Sequence, residues 1–299
     1  MRGLFTLETG SFRLVGTHHV PSWSARTWGV GVVLFNAGHL PRDGHAMINV
    51  RAAERLAASG FHAFRVDLPG LGDSPGELPV HTEELFRLVH QGWHLAPAQA
   101  AIRELQRLHG IRSFVVGGLC GSAGTALLLA AADPTLVAGV VAMELELFHA
   151  FRDVPLSPRE AVFSRAAWLR LLTGHGRRSW RVPRAAESLL PLFGSALLPA
   201  HTDRKLVHAL VELDRRRTPV LVVMAGGKRR EIFYDQVCRA VLGATARPWR
   251  AHVSVAGTNH IFTTGGGQRI ALDAIERWAL RLAEESHGTA PAAGHRSRP

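Results

Sequence analysis

Short valine-rich runs recur along this chain with a helix-length segment between each and the next, and few architectures accommodate that rhythm. The runs at 31–35, 62–66, 113–116, 137–141, 219–223 and 251–255 are apolar almost throughout instead of alternating with polar residues. Strands covered on both faces have this composition, because neither face meets water. The segments 46–58, 82–108, 121–133, 231–242 and 268–285 have helical length, the second expected to break near Pro97. Such βα alternation predicts an α/β class with a doubly wound, mostly parallel sheet. Ahead of it, residues 4–8 and 12–16 show period-two patterning around Thr9-Gly10-Ser11, which predicts a hairpin at a sheet edge.

The rhythm stops between residues 146 and 206. Aromatic and Arg-rich stretches punctuated by Pro155, Pro158, Pro183, Pro191 and Pro199 replace it. A helical lid inserted after one strand is expected there, with the core formed by 1–145 and 207–285. From Ser286 to the end the chain is mostly Gly, Ala, Pro, His and Arg, too poor in apolar surface to order itself. The 299 residues, 46% of them apolar, suffice for one core plus a lid, and no linker divides them.

No apolar run reaches the roughly 18 residues needed to span a bilayer, and residues 1–8 lack a signal-peptide core. A cytoplasmic protein is expected. Cys120 and Cys238 are the only cysteines, too few for a disulfide framework or a cysteine-rich metal site. No metal and no cofactor is expected. The net charge of +11 rests almost wholly on arginine, since Lys205 and Lys228 are the only lysines. Such a surface attracts acidic partners, for example coenzyme A or a carrier protein. The scatter of the arginines, without interleaved aromatics, speaks against nucleic acid.

The segment Phe114-Val115-Val116-Gly117-Gly118-Leu119-Cys120-Gly121-Ser122-Ala123-Gly124 joins a strand to an Ala/Leu helix through a turn of small residues. It resembles the nucleophile elbow of α/β-hydrolases, G-x-nucleophile-x-G, with Cys120 where most members carry serine and Ser122 at the second glycine. A shifted register would make Ser122 the nucleophile, and a third possibility is a cysteine merely filling a core turn. A thiol at a helix N-terminus faces the positive end of the helix dipole, so a lowered pKa is expected for Cys120.

Asp67-Leu68-Pro69-Gly70-Leu71-Gly72-Asp73-Ser74 is similar to that family's D-x-x-G-x-G-x-S segment. With the Asn36-Ala37-Gly38 loop and a cysteine elbow, the chain resembles hydrolase-like proteins associated with exosortase systems and stand-alone members of natural-product pathways. The resemblance covers roughly 29–144 and 218–283, and leaves the lid unmatched. It implies a catalytic histidine between the last strand and the last helix, the place of His260. It also implies oxyanion-hole amides at Gly121 and at Ala37 or Gly38. His39, Ser122 and Glu146 are candidate substrate contacts, and His18, His19 and His45 are further histidines that could line the site.

One element departs from the pattern. Where the family places its acid, after 219–223, this chain reads Gly226-Gly227-Lys228-Arg229-Arg230-Glu231. The candidate acids are Glu231 and Asp235, or Glu144 and Glu146 at the end of the preceding strand. A thiol needs an orienting carboxylate less than a hydroxyl does, being already a few per cent ionised near neutrality. The expected function is acyl transfer: a thioesterase- or esterase-like enzyme using Cys120 and His260 on a small-molecule acyl thioester or ester, bound to coenzyme A or a carrier through lid arginines such as Arg165, Arg170, Arg177, Arg178, Arg181 and Arg184. A lyase or acyltransferase on the same scaffold, and a binding protein that has lost activity, are the rival readings.

Overall fold

The computed structural model describes residues 1–22, 26–36, 38–148, 198 and 202–288. Ala37, nearly all of the expected lid and the chain end from 289 lie outside the described residues. Eight strands form one sheet: β1 (Arg2–Glu8), β2 (Arg13–His19), β3 (Val30–Phe35), β4 (Ala63–Val66), β5 (Ser113–Leu119), β6 (Val137–Met143), β7 (Val220–Ala225) and β8 (Arg250–Val255). Their order is β1-β2-β4-β3-β5-β6-β7-β8. The hairpin β1–β2 is antiparallel and joins β4 antiparallel, while β4-β3-β5-β6-β7-β8 is parallel throughout.

Seven α-helices flank the sheet among the described residues: α1 (Ile48–Ala58), α2 (Thr82–His90), α3 (Leu95–His109), α4 (Gly121–Ala132), α5 (Arg204–Arg215), α6 (Arg229–Leu242) and α7 (Gly265–Gly288). The break expected near Pro97 falls at 91–94, so Pro97 sits in the first turn of α3, where its missing N–H costs no helical bond. The last helix runs to Gly288, three residues past the expected boundary at 285.

Strand residues alternate between two apolar clusters. On β3, Val33 and Phe35 join Phe64, Val116, Ala142 and Val222 beneath α3, α4, α5 and α6. Val32 and Leu34 join Ala63, Val115, Val141 and Val223 beneath α1 and α7. Both faces are therefore dry, which explains the unbroken valine runs. Helix α4 is apolar all round, with Gly121 through Ala130 buried, as fits a helix packed on several sides.

The flanks of the largest undescribed stretch meet. Phe148 and Thr202 form an isolated antiparallel bridge, and Asp203 N–H donates to the Leu147 carbonyl at 2.9 Å. Asp203 then caps α5 by accepting from the amides of Lys205 (3.0 Å) and Leu206 (3.1 Å), while its other oxygen pairs with buried His90 at 2.9 Å.

Strands β3 and β5 are neighbours, but the chain leaves them in opposite directions across the sheet, toward β4 and β6. Their carboxyl ends thus flank a crevice of the kind where ligands bind in open α/β sheets. Leu127 on α4 is fully buried in the first cluster, whereas Ile270 on α7 is 48% exposed. Leu127→Ala is expected to cost about 2–5 kcal/mol, and Ile270→Ala about 0.5 kcal/mol or less, read from urea midpoints with an unchanged m-value.

Candidate active site

At the end of β5 the chain turns through Cys120, whose φ of 61° and ψ of −119° lie outside the regions an L-residue ordinarily occupies. Three contacts hold it there. Cys120 N–H donates to Met143 O on β6 at 2.9 Å, its own carbonyl accepts from Ala123 at 2.9 Å, and Ser122 packs over Gly118. A Cβ on Gly118 would lie 2.7 Å from Ser122 Cβ, closer than real side chains come, so this position admits only glycine. The Ser122 hydroxyl donates back to Leu119 O at 3.1 Å and is buried, an arrangement that leaves Cys120 and not Ser122 at the tip of the turn.

A small cleft, with room for about one water molecule, lies beside the elbow. Its polar positions are Asn36, Gly38, His94, Gly121 and Ser122. Its apolar wall is Leu68 together with Leu85, Phe86 and Val89 of α2. Phe86 is the common neighbour of the two candidate oxyanion glycines, since a Cβ built on Gly38 or on Gly121 would meet its ring at 3.4 and 3.5 Å. His94, almost fully buried, donates to the Pro69 carbonyl, yet burial still pushes its pKa down to about 4. Its Nε2 has no hydrogen-bond partner among the described residues, so the cleft carries a neutral imidazole nitrogen free to meet a ligand. Neither Phe86 nor His94 is marked by any local pattern; the only signal was the apolar face of α2.

The loop after β3 is braced by the Asp67–Ser74 segment. Asp67 is fully buried and accepts from Arg42 N–H, from the Arg42 guanidinium and from Asp73 N–H (3.0 Å), while Arg42 also reaches Asp73 at 2.7 Å. A side chain on Gly72 would collide with the Asp67 carboxylate. Asn36 spans the same two loops, accepting from Leu68 N–H and donating to Gly38 O, both at 3.2 Å. Gly38 itself has a φ of +56°, the left-handed region. The motif read in the sequence is therefore a brace that fixes the loop carrying Gly38.

Two of the candidate acids, Glu144 and Glu146, lie close enough to act on the thiol. Glu144, also at positive φ (51°), ends β6; its N–H donates to Val223 O at 2.8 Å and its carboxylate accepts from Ala225 N–H. Burial, together with Glu146 and Glu231, raises its pKa to about 7 against the opposing pull of Ala225 N–H and Arg230. Glu146 pairs with Arg230 at 2.6 Å. Glu231 instead accepts from Gly227 N–H at 2.6 Å and lies 3.4 Å from His252, which also approaches Asp235 at 3.7 Å. Glu231 and Asp235 thus share His252 as a neighbour.

Arg230 is the residue the sequence did not reveal. Its charge acts on Cys120, Glu144 and His260 together. Lys228, standing where an acid was looked for, is the N-cap of α6, and the helix it starts carries Arg230 back toward Glu146.

The thiol's electrostatics reverse one expectation. Burial, followed by the charge of Glu146, drives the Cys120 pKa well above the ordinary thiol value; Arg230 and the Gly121 amide oppose this, and Glu144 adds to it. The helix N-terminus alone is overcome by desolvation and two neighbouring carboxylates.

His260 occupies the turn between β8 and α7. Buried Phe262 (φ 51°) anchors that turn, donating its N–H to Asn259 O at 3.0 Å, and Gln268 of α7 ties it to the loop after β3 through Ala46 O at 3.1 Å. The His260 pKa is lowered by burial, then by Arg230 and His45; His45 is in turn lowered by burial and by exposed His39. No hydrogen bond joins His260 to Cys120 or to a carboxylate among the described residues. His18 and His19 are elsewhere: His19 accepts from buried Arg65 at 3.0 Å, and His18 packs against His62.

Comparison with known proteins agrees with this fold. A family model described as the alpha/beta hydrolase fold matches residues 32–262. No curated protein matches the sequence. Among solved structures, the chain is similar to dienelactone hydrolase from Anabaena variabilis (16% identity, TM-score 0.55, covering 94% of this chain and 97% of that one). It is also similar to TT1662 from Thermus thermophilus (13%, 0.59, 95% and 99%) and to Est1E from Butyrivibrio proteoclasticus, solved with ferulic acid bound (13%, 0.57, 94% and 99%). At such identities the likeness is one of fold.

Two outcomes follow from the geometry. Asp67→Ala removes the buried acceptor of the Arg42 and Asp73 amides and leaves the Arg42 guanidinium only Asp73 and Thr17; it is expected to destabilise the protein by about 1–3 kcal/mol in chemical denaturation. Alkylation of Cys120 by iodoacetamide is expected to be slow at neutral pH and still accelerating above about pH 9.5, beyond the ordinary thiol value of about 8.5; a plateau below pH 7 would contradict the raised pKa.

Proposed function

Because the chain belongs to the α/β-hydrolase family, we propose that it is an acyl-transfer enzyme of the esterase or thioesterase type, with Cys120 as nucleophile. The observation that carries this reading is the strained elbow at Cys120, whose next residue, Gly121, lines a small cleft together with Gly38. Backbone strain of about 1–3 kcal/mol persists where the surroundings impose it, and nucleophiles are held this way.

The proposed sequence begins with an acyl ester or thioester entering along the Phe86 wall, where the small cleft must widen to admit it. Cys120 Sγ forms a bond to the carbonyl carbon while its proton passes to His260, neutral near pH 7 because its pKa is lowered. The amides of Gly121 and Gly38 are the proposed donors to the oxyanion. Collapse of the adduct expels the alcohol or thiol, which takes the proton from His260. Water, or a second nucleophile, then attacks the acyl-cysteine with the same imidazole as base. The raised thiol pKa implies that the proton leaves during attack instead of beforehand, so that no standing thiolate is exposed to oxidants. The net charge of +11 supports an acidic handle on the substrate, such as a phosphopantetheine or coenzyme A thioester.

One observation favours a second reading. With no hydrogen bond between Cys120 and His260, and with Glu144 near pKa 7, a carboxylate at the elbow could abstract a proton from the substrate while the sulfur stays unacylated, as in a lyase. Deuterium wash-in beside the substrate carbonyl, without turnover of esters, would mark that alternative.

A panel of p-nitrophenyl esters and N-acetylcysteamine thioesters of graded chain length tests the proposal. Cys120→Ala is expected to lose at least about a thousandfold in kcat/KM, and His260→Gln about 10²–10⁴-fold. Since the base must be unprotonated, kcat/KM should rise with pH through a limb below about 6.5. A limb near 7 would assign the proton to Glu144, and unchanged turnover by Cys120→Ala would remove the nucleophile altogether.

A further inference from the structure

A second cluster of chemistry-bearing side chains lies apart from the cleft, on the antiparallel edge of the sheet. His18 comes from β2, His62 immediately precedes β4, and His109 is the last residue of α3. One ring nitrogen of each lies within 4.8 Å of those of the other two, with His18 Nε2 and His62 Nδ1 only 2.9 Å apart. We propose that His18, His62 and His109 form a binding site for a divalent transition-metal ion of the zinc class.

The packing beneath the three rings gives the site a fixed base. The His18 ring stacks on buried Phe64 at 4.3 Å, and His109 tilts against both His18 (4.7 Å) and Phe64 (5.0 Å). His18 is paired with Phe64 in the β2–β4 ladder, so backbone hydrogen bonds set its place. His18 therefore stands on the sheet, His62 is tied to it where its carbonyl accepts from Val32 N–H at 2.8 Å, and His109, exposed at a helix end, has the freedom to close on an ion.

The chemistry fits a borderline ion. Imidazole nitrogens suit zinc, nickel and copper, and zinc–nitrogen bonds of about 2.0–2.1 Å in tetrahedral array separate the ligand atoms by about 3.3–3.4 Å. The His18–His62 spacing needs to open by a few tenths of an ångström, and the exposed His109 to move by up to about 1.5 Å. Each ring must offer a lone pair, and the surroundings favour the uncharged form: burial, then repulsion from His109 and His62, lowers the His18 pKa to about 4, burial and His109 lower that of His62, and burial lowers that of His109. Without the ion, one of His18 and His62 donates its N–H to the other. On binding, that donor shifts its proton to its second nitrogen, so both lone pairs face the ion and no net proton is released. Three protein ligands leave a fourth position for water, as in open zinc sites.

The ion would tie the hairpin edge to the end of α3, three elements far apart in sequence. It would stabilise the folded chain by mass action, since the unfolded chain does not present the three nitrogens together. Nothing in this proposal depends on the chemistry assigned to Cys120.

Titration of the full chain with Zn(II) by calorimetry, and with Co(II) by visible absorption, tests it. The chain's other histidines make weak background binding certain, so the comparison is with His109→Ala, a substitution at an exposed helix end that spares the core. The wild type is expected to bind one equivalent above background, with ligand-field bands of a nitrogen-ligated, low-coordinate Co(II) and a raised Tm. His109→Ala and His18→Gln should weaken that equivalent at least tenfold and abolish the Tm gain. If both variants, folded by circular dichroism, titrate as the wild type does, or if the wild type shows background binding only, the site does not exist.

Discussion

The turn at Cys120 governs the arrangement of everything around it. A residue with φ 61° and ψ −119° survives only where its neighbours forbid relaxation, and here they do so through Gly118, Ser122 and the amide bond to Met143. The turn is possible because Gly118 has no side chain and because α4, apolar on all sides, can enter the core directly behind it. Glu144 and Phe262, also at positive φ, stand at the same end of the sheet after β6 and β8. Strain is thus concentrated along the carboxyl edge of the parallel strands and is absorbed by two dry sheet faces below.

A second tension is electrostatic. Glu144 and Glu146 share a poorly solvated corner with a thiol, and one guanidinium, Arg230, offsets them. Without Arg230 the two carboxylates would repel one another and push the thiol further from ionisation. With it, Glu144 rests near pKa 7, close to the value at which a carboxylate exchanges protons most readily at neutral pH. The corner combines a protonated thiol with one ion pair, Arg230–Glu146, and the cleft beside it carries the uncharged imidazole of His94.

Much of this was legible in the sequence because it is carried by short-range pattern. The valine runs specified the parallel sheet, Thr9-Gly10-Ser11 the hairpin, the small residues at 117–124 the elbow, and Thr258-Asn259-His260 the turn before α7. Asp67, recognised as a motif, proved to be the brace of the Gly38 loop. What could not be read depends on residues brought together from far apart. Arg230 was visible only as part of a basic run after Gly227; its meeting with Glu146, more than eighty positions earlier, is set by where α6 begins. Phe86 and His94 enter the cleft because α2 and α3 fold over the elbow. The thiol's raised pKa escaped the helix-dipole argument, since desolvation by tertiary packing outweighs a fractional charge at a helix end. Glu231 was a plausible acid by position, and the contacts it makes, with Gly227 N–H and with His252, are set by tertiary packing that no local pattern announces.

The account stands on Cys120 being the atom that attacks. Brief exposure of the full chain to an activated acyl thioester, followed by acid quench and peptide-resolved mass spectrometry, observes this directly. The predicted result is a single acyl group on Cys120, absent from Cys238 and Ser122, that disappears as product accumulates. An acyl group on Ser122, or product formed while every trapped sample carries an unmodified Cys120, would contradict it.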